Sequence, residues 1–563
     1  MKIKNAVLRT CYFSLIALLL ISWKSNEQLK LNQAFEIYGN VVKEILNNYI
    51  YDVDIDTLLE KSIEGMLGTL DPYTEYFNEE LSNRIEFLLD GSYVGFGFTV
   101  MPIDSMLTIV RLQDDSPAYN AGLRIGDIIY SIDGTIVVNR DEIRQFTHQL
   151  QKGTVSNFVI MRKKNITIYE NSDYPAAGLS NSELVRIDTL RFLLKRDVIN
   201  LPSIIIAKLI DEDIAYIKVE RFSKKTADLF YSEFLRLKAE SGNSLSGLII
   251  DVRDNSGGIL AEVVNMCELF VPRGSKIVST RGKDGKYIND YISNKDPIDI
   301  KLPIAVLINE NSASASEILA GAIQDLDRGV ILGNTSFGKG LVQTIVELSD
   351  KTAMKLTTAK YYTPSGRCLQ KINHQNKNDT AKETSNVFYT QNGRKVFETN
   401  GITPDIEIDK EKTEKLISEF SKNMIFFHFA NLFCAKNEFM KFSYEMNKQV
   451  YNSFVEFATS KEVLKKNKDI KYLLDLKAGL SESTNDIIDS LFISMQNDFR
   501  NMLINDENIK KQAKSILDFE IKSRFYKEKI VSEDLLDKDQ LIIKSKEILS
   551  SNLYRTMLTN SNN

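Results

Sequence analysis

Residues 312–343 read SASASEILAGAIQDLDRGVILGNTSFGKGLVQ. The run is preceded by AVLI (305–308), a short apolar stretch of strand character. ASEILAGAIQDL (315–326) then carries apolar residues at helical spacing, and GVILG (329–333) returns to strand character. Strand, helix and strand in quick succession predict an α/β layered core. The same pattern continues upstream. IAYIKVERF (214–222), LSGLIIDVRD (245–254) and LPIAVLINE (302–310) read as strands, with TADLFYSEFLRLKAE (226–240) and LAEVVNMCELFV (260–271) as the helices between them.

The end of the quoted stretch poses a chemical question. Gly333, four residues, Gly338 and Lys339 come close to a phosphate-binding loop. That loop requires Ser or Thr after the lysine, to hold magnesium, and here the residue is Gly340. It must also open a helix, whose first amides meet the phosphates. The following LVQTIVEL (341–348) is rich in β-branched residues and favours a strand. A nucleotide site therefore fails on two counts.

Serines 312, 314 and 316 stand at a strand-to-helix junction. A serine there can be exposed at the sheet edge, with helix amides at hand to stabilise an oxyanion. Helix capping is the competing explanation. A nucleophilic serine needs a base. The three histidines are His148, His374 and His428, and none is near a strand end of the α/β core. A neutral lysine can serve instead if burial or a nearby cation lowers its affinity for protons. Lys339, between two glycines and among apolar runs, is the candidate, against the alternative of a solvated turn lysine.

Outside the core the chain divides further. Residues 1–27 read as a secretory signal or membrane anchor: Lys2, Lys4 and Arg9 precede an apolar run from Cys11 to Trp23. The run is short for a full span, and no small-x-small cleavage site follows it, which favours an uncleaved anchor. Residues 28–88 are expected to be helical. Residues 89–166 alternate in short runs broken by glycine and form a β-rich domain. Residues 167–197 read as a polar connector, 198–408 as the α/β core with a polar insertion at 371–396, and 409–563 as a helical appendage rich in Lys and Glu. A net charge of −5 gives no indication of a nucleic-acid partner. The four cysteines are far apart and signal neither a zinc site nor a disulfide framework.

The quoted stretch resembles the signature of the carboxyl-terminal processing peptidases, or tail-specific proteases, which are Ser-Lys endopeptidases carrying a PDZ domain. The resemblance covers roughly residues 35–410. MLGTLDPYTEYFNEEL (66–81), GLIIDVRDNSGGIL (247–260), MKLTTAKYYTPSGRCLQ (354–370) and GITPDIEI (401–408) are similar to further family motifs. SPAYNAGLRIGDIIYSIDG (116–134) resembles a PDZ signature, and Gly95, Phe96, Gly97 and Phe98 resemble its carboxylate-binding loop.

The resemblance implies an α/β layered, crotonase/Clp-protease-like peptidase core with an inserted PDZ domain and helical N- and C-terminal regions. It implies Ser314 as nucleophile, Lys339 as general base and Gln343 as the residue that holds the lysine. The oxyanion hole would use the amide of Gly257 or Gly258 and that of Ala315. Substrates would be proteins or peptides with free apolar C-termini, cleaved without metal or cofactor in the periplasm, from an enzyme anchored to the inner membrane by its N-terminal segment or secreted after cleavage. A homo-oligomer stays open, as does a non-catalytic PDZ scaffold on the same fold. Two departures stand out. Asn255-Ser256 replaces the family's Asn-Pro, and Gln149 aligns with an arginine that links substrate binding to activation in relatives.

Overall fold

The computed structural model describes residues 28–77, 90–137, 151–166, 184–349, 352–370, 386–407, 415–437, 444–465, 468–475 and 482–559. The N-terminal apolar run and Gln149 lie outside these residues. No helix among the described residues is long and apolar enough to cross a membrane.

The chain forms two compact units. The smaller comprises the N-terminal residues to Tyr76 together with Ile345–Glu347 and Met354–Leu356. It contains a helix over 28–48 and a second, Ile55–Leu67, whose N-cap Asp54 accepts from the Thr57 amide. Glu75–Phe77, expected to be helical, is a short strand, and Lys355 pairs with Glu75 at 2.9 Å. Leu29, Phe35 and Ile37 of the first helix are exposed.

The larger unit is built on a six-stranded sheet in the order Ile204–Ile210, Ile214–Val219, Gly247–Asp251, Ile304–Ile308, Val330–Gly333, Ile406–Glu407. The first pair is antiparallel and the rest are parallel. Every residue of Gly247–Asp251 and Ile304–Ile308 is buried. A parallel sheet needs both faces covered, which is why these strands read as unbroken apolar runs. One face packs against the helices Thr226–Glu240, Leu260–Glu268 and Ala315–Asp325, through residues such as Phe230, Val263 and Leu319.

The other face is covered by the end of the chain. Ile542, Ile548, Leu549 and Tyr554 pack on Tyr216, Ile249 and Leu307. The Tyr554 hydroxyl donates to Arg328 O and accepts the amide of Ile304. The last two helices, Gln540–Leu549 and Asn552–Leu558, are therefore part of the core and not an appendage. The helices between Lys415 and Phe525 enclose their own cluster, including Phe420, Phe426, Phe429, Phe454 and Leu517.

The β-rich domain is an antiparallel sheet in the order Phe98–Ile103, Met106–Leu112, Ile128–Ile132, Val155–Ile166, Leu184–Lys195. The last strand corrects the connector expected at 167–197. It pairs along its whole length with Val155–Ile166, from Val155 opposite Lys195 to Ile166 opposite Leu184. The strand reads LVRIDTLRFLLK, and its mixed apolar and charged residues lie at the end of a polar stretch, so the distant partner that supplies its ladder was not apparent from the sequence. The polar insertion likewise contains a hairpin, Val387–Tyr389 with Lys395–Phe397. Residues 371–385 lie outside the described part.

Candidate active site

The site is assembled at the carboxyl ends of the parallel strands, where an open α/β sheet presents its loops. The strand Ile304–Ile308 leads into the helix Ala315–Asp325, and Ser314 is its N-cap. Ser314 has φ 55° and ψ −112°. A non-glycine residue there is strained by about 1–3 kcal/mol and persists only where its surroundings enforce it.

The enforcement comes from its neighbours. Ser312 and Ser316 are fully buried, and their hydroxyls donate to Val252 O at 2.7 Å and Asn255 O at 2.8 Å. Asn255 O also accepts the Ala313 amide. Two of the three serines are thus tied to main-chain carbonyls, and Ser314, half-buried, is the one presented.

Glu317 is the hub beneath it. Fully buried, it accepts the amides of Ser314 (2.8 Å), Gly338 (2.7 Å) and Lys339 (2.9 Å) and the Ser336 hydroxyl (2.6 Å). Its bond to Ser314 is one half of a capping box, extended here to a second loop. Burial pushes its carboxyl above the ordinary range, and the converging donors pull the other way. At the far end of the same helix Asp325 pairs with Arg367 at 2.6 Å, both fully buried.

Lys339 is half-buried between Gly338 and Gly340, just before the strand Leu341–Ser349. Gln343 lies on that strand and donates to the Thr357 hydroxyl at 3.3 Å. So LVQTIVEL is a strand, as its β-branched content predicts.

Gly257 and Gly258 differ in what their amides do. The Gly257 amide donates to Asn255 Oδ1 at 2.8 Å, and its carbonyl accepts from Phe222. Among the described residues neither the Gly258 amide nor the Ala315 amide has a hydrogen-bond acceptor. Both glycines have positive φ, 103° and 145°. A Cβ on Gly257 would stand 2.8 Å from Ser314 Cβ, and one on Gly258 2.1 Å from Phe222 O. Only glycine lets this loop approach the serine so closely.

In the β-rich domain Gly95 ends the strand Ser92–Gly95, and Phe98 opens Phe98–Ile103. Phe96 is buried edge-on against Phe158 at 4.9 Å, and the Gly97 carbonyl accepts from Gln113. Among the described strands, Phe98–Ile103 stands at the end of its sheet. Arg196, also buried, lies over the Phe96 ring at 5.4 Å and donates to Val94 O. No group of acidic, histidine or cysteine side chains that could hold a metal occurs among the described residues.

The sequence reading named Ser314, Lys339, Gln343 and the glycine loop as candidates, and gave no role to the side chains of Glu317, Asn255, Tyr361 and Arg367. Glu317 carried one usable signal, its place three residues after a serine at a helix start. The others act through tertiary contacts that leave no local pattern.

Four family models match segments of the chain. Peptidase family S41 matches residues 213–380 and a PDZ domain residues 94–168. The activating protease CtpB N-terminal domain matches 21–81, and the C-terminal helical domain of probable PDZ-proteases matches 414–549. A carboxy-terminal-processing protease of Bartonella bacilliformis is 30% identical over 398 residues, covering 69% of this chain and 78% of that protein. Carboxy-terminal processing protease CtpB of Bacillus subtilis is 32% identical over 348 residues, 61% of this chain and 65% of its own length. Among solved structures, a photosystem II D1 C-terminal processing protease aligns at 24% identity with a TM-score of 0.37, over 66% of this chain and 86% of its own.

Proposed function

This chain belongs to the carboxy-terminal processing proteases of peptidase family S41, serine-type peptidases with a PDZ domain, and we propose that it is an exported endopeptidase working through Ser314 and Lys339. Ser314 Oγ attacks the scissile carbonyl while Lys339 Nζ takes its proton. The amides of Gly258 and Ala315 hold the oxyanion. Lys339 returns the proton to the leaving amine, and water then hydrolyses the acyl-enzyme. Gln343 steadies the lysine.

The observation that carries this reading is the shared anchor of the two residues. Twenty-five positions apart in sequence, Ser314 and Lys339 both donate their amides to Oε2 of Glu317. The amides of Gly258 and Ala315, which have no acceptor among the described residues, support it further. The place of Phe98–Ile103 at the end of its sheet among the described strands, beside the Gly95–Phe98 loop, supports recognition of a substrate's C-terminal tail, added as a strand. Export and anchoring rest on the basic and apolar N-terminal run.

Purified protein incubated with an unstructured protein substrate, beside its Ser314→Ala variant, tests the proposal. Cleavage by the first and none by the second is expected. Equal cleavage by both would refute it.

A further inference from the structure

The strand Thr352–Tyr362 ends beside the site, and Tyr361 on it is fully buried. Its hydroxyl donates to the main-chain carbonyl of Lys339. It also lies 3.3 Å from Glu317 Oε2 and 3.4 Å from the carbonyl oxygen of Ser314. One side-chain atom is therefore within hydrogen-bond reach of both residues assigned to the chemistry and of the carboxylate that joins them. The Tyr361 amide donates to Gly340 O at 3.0 Å, so the residue grips the Lys339–Gly340 turn twice. From the other side, Gln370 Oε1 accepts the Gly340 amide at 2.9 Å. The tyrosine is itself fixed, since its strand pairs with Lys276–Arg281, where Thr280 stands opposite it.

We infer that Tyr361, with Gln370, is a positioning residue that sets where the Lys339 amine stands relative to Ser314. The inference rests on the Ser-Lys reading above. The lysine side chain is long and flexible, and its reach to the serine depends on where its main chain is held. Glu317 fixes the amide of Lys339 and Tyr361 fixes its carbonyl, so both ends of the residue are referred to the Ser314 segment. A buried hydroxyl cannot touch substrate. Its loss acts on the chemical step and leaves substrate affinity alone.

The test is Tyr361→Phe, which keeps the ring in the core and removes only the hydroxyl. Tyr362→Phe is the matched control, and Gln370→Met loosens the same turn from the half-buried side. For each, kcat and KM are measured on an unstructured protein with a free apolar tail, with the rate of labelling by a fluorophosphonate, below the melting temperature of every variant.

Misplacing a base by a fraction of an ångström to an ångström costs on the order of 10- to 100-fold. Tyr361→Phe is expected to lower kcat and the labelling rate together by that factor, with KM unchanged. Gln370→Met shifts both the same way by less, and Tyr362→Phe shifts neither. A Tyr361→Phe enzyme within twofold of the parent in kcat overturns the inference. So does a rise in KM that accounts for the loss. Should Tyr361→Phe not fold, an unchanged kcat in Gln370→Met overturns it equally. Ser314→Ala and Lys339→Ala run alongside. Activity in either refutes the Ser-Lys reading itself, whereas inactive controls beside an unaffected Tyr361→Phe refute only the positioning role.

Discussion

The amides of Ser314 and Lys339 donate to the same oxygen atom, Oε2 of Glu317, at 2.8 and 2.9 Å. Glu317→Ala would strand those donors together with the Gly338 amide and the Ser336 hydroxyl. Each buried group left unpaired costs about 1–3 kcal/mol. Loss of proteolysis and a fall in stability of at least about 3 kcal/mol are expected, read by denaturant unfolding and a cleavage assay. Retention of wild-type stability would show that the carboxylate is not the organiser of the two loops.

The three serines should separate cleanly. Ser314→Ala removes the one presented hydroxyl and should abolish cleavage, with stability changed by less than about 1 kcal/mol. Ser312→Ala and Ser316→Ala each delete a fully buried hydrogen bond. They should cost about 0.5–1.5 kcal/mol apiece while leaving chemistry in place. Urea midpoints and single-turnover rates on all three decide the matter.

Lys339→Arg is expected to be as inactive as Lys339→Ala, because arginine cannot give up its proton in a protein. A phosphate loop would behave otherwise, with arginine a partial substitute and ATP raising the melting temperature by mass action. Proteolysis by both variants and a melting curve with Mg-ATP separate the two. Gly340 and the strand that follows it argue for the first outcome.

Substrate tails should matter through their terminal carboxylate. Amidating a free apolar C-terminus removes the charge that the backbone amides of the Gly95–Phe98 loop would meet, and should raise KM severalfold. Identical kinetics for free and amidated tails would exclude this loop from substrate choice.

Acid stability should depend on Asp251. Its complete burial alone would push the carboxyl up, yet Arg253 at 2.6 Å holds it below the ordinary range. Tyr216 donates to it as well, and Arg253 reaches Asp539 at 2.8 Å, linking the central sheet to the final helices. With the folded value below the unfolded one of about 3.9, the stabilisation is complete above that pH and is lost as pH falls through the folded value. Asp251→Asn should lower stability by about 3–5 kcal/mol near neutrality and flatten the acid limb below about pH 4. Thermal melts from pH 2 to 7 measure both effects.

Much of the core was legible because its elements are locally consistent. The helix expected over 226–240 is Thr226–Glu240, and the strand seen in AVLI is Ile304–Ile308. The strand Leu184–Lys195 was not legible, because pairing with Val155–Ile166 supplies its stability. The terminal helices looked like an appendage because their spacing reveals an apolar stripe but not the sheet face that it covers.

By itself the sequence determined which groups are available for chemistry. It provides a serine at a strand-to-helix junction, a lysine between glycines and a paired-glycine loop, with no histidine within the stretches read as core strands. Those are properties of residue type and spacing, and spacing along the chain dictates local structure. Only the tertiary structure decided which serine is presented, which glycine amide is left without an acceptor, and that Glu317 and Tyr361 bind two distant loops together. Each of these depends on where buried donors and acceptors find partners. Burial makes an unpaired polar group costly, so it is the packed fold that selects among the arrangements the sequence leaves open.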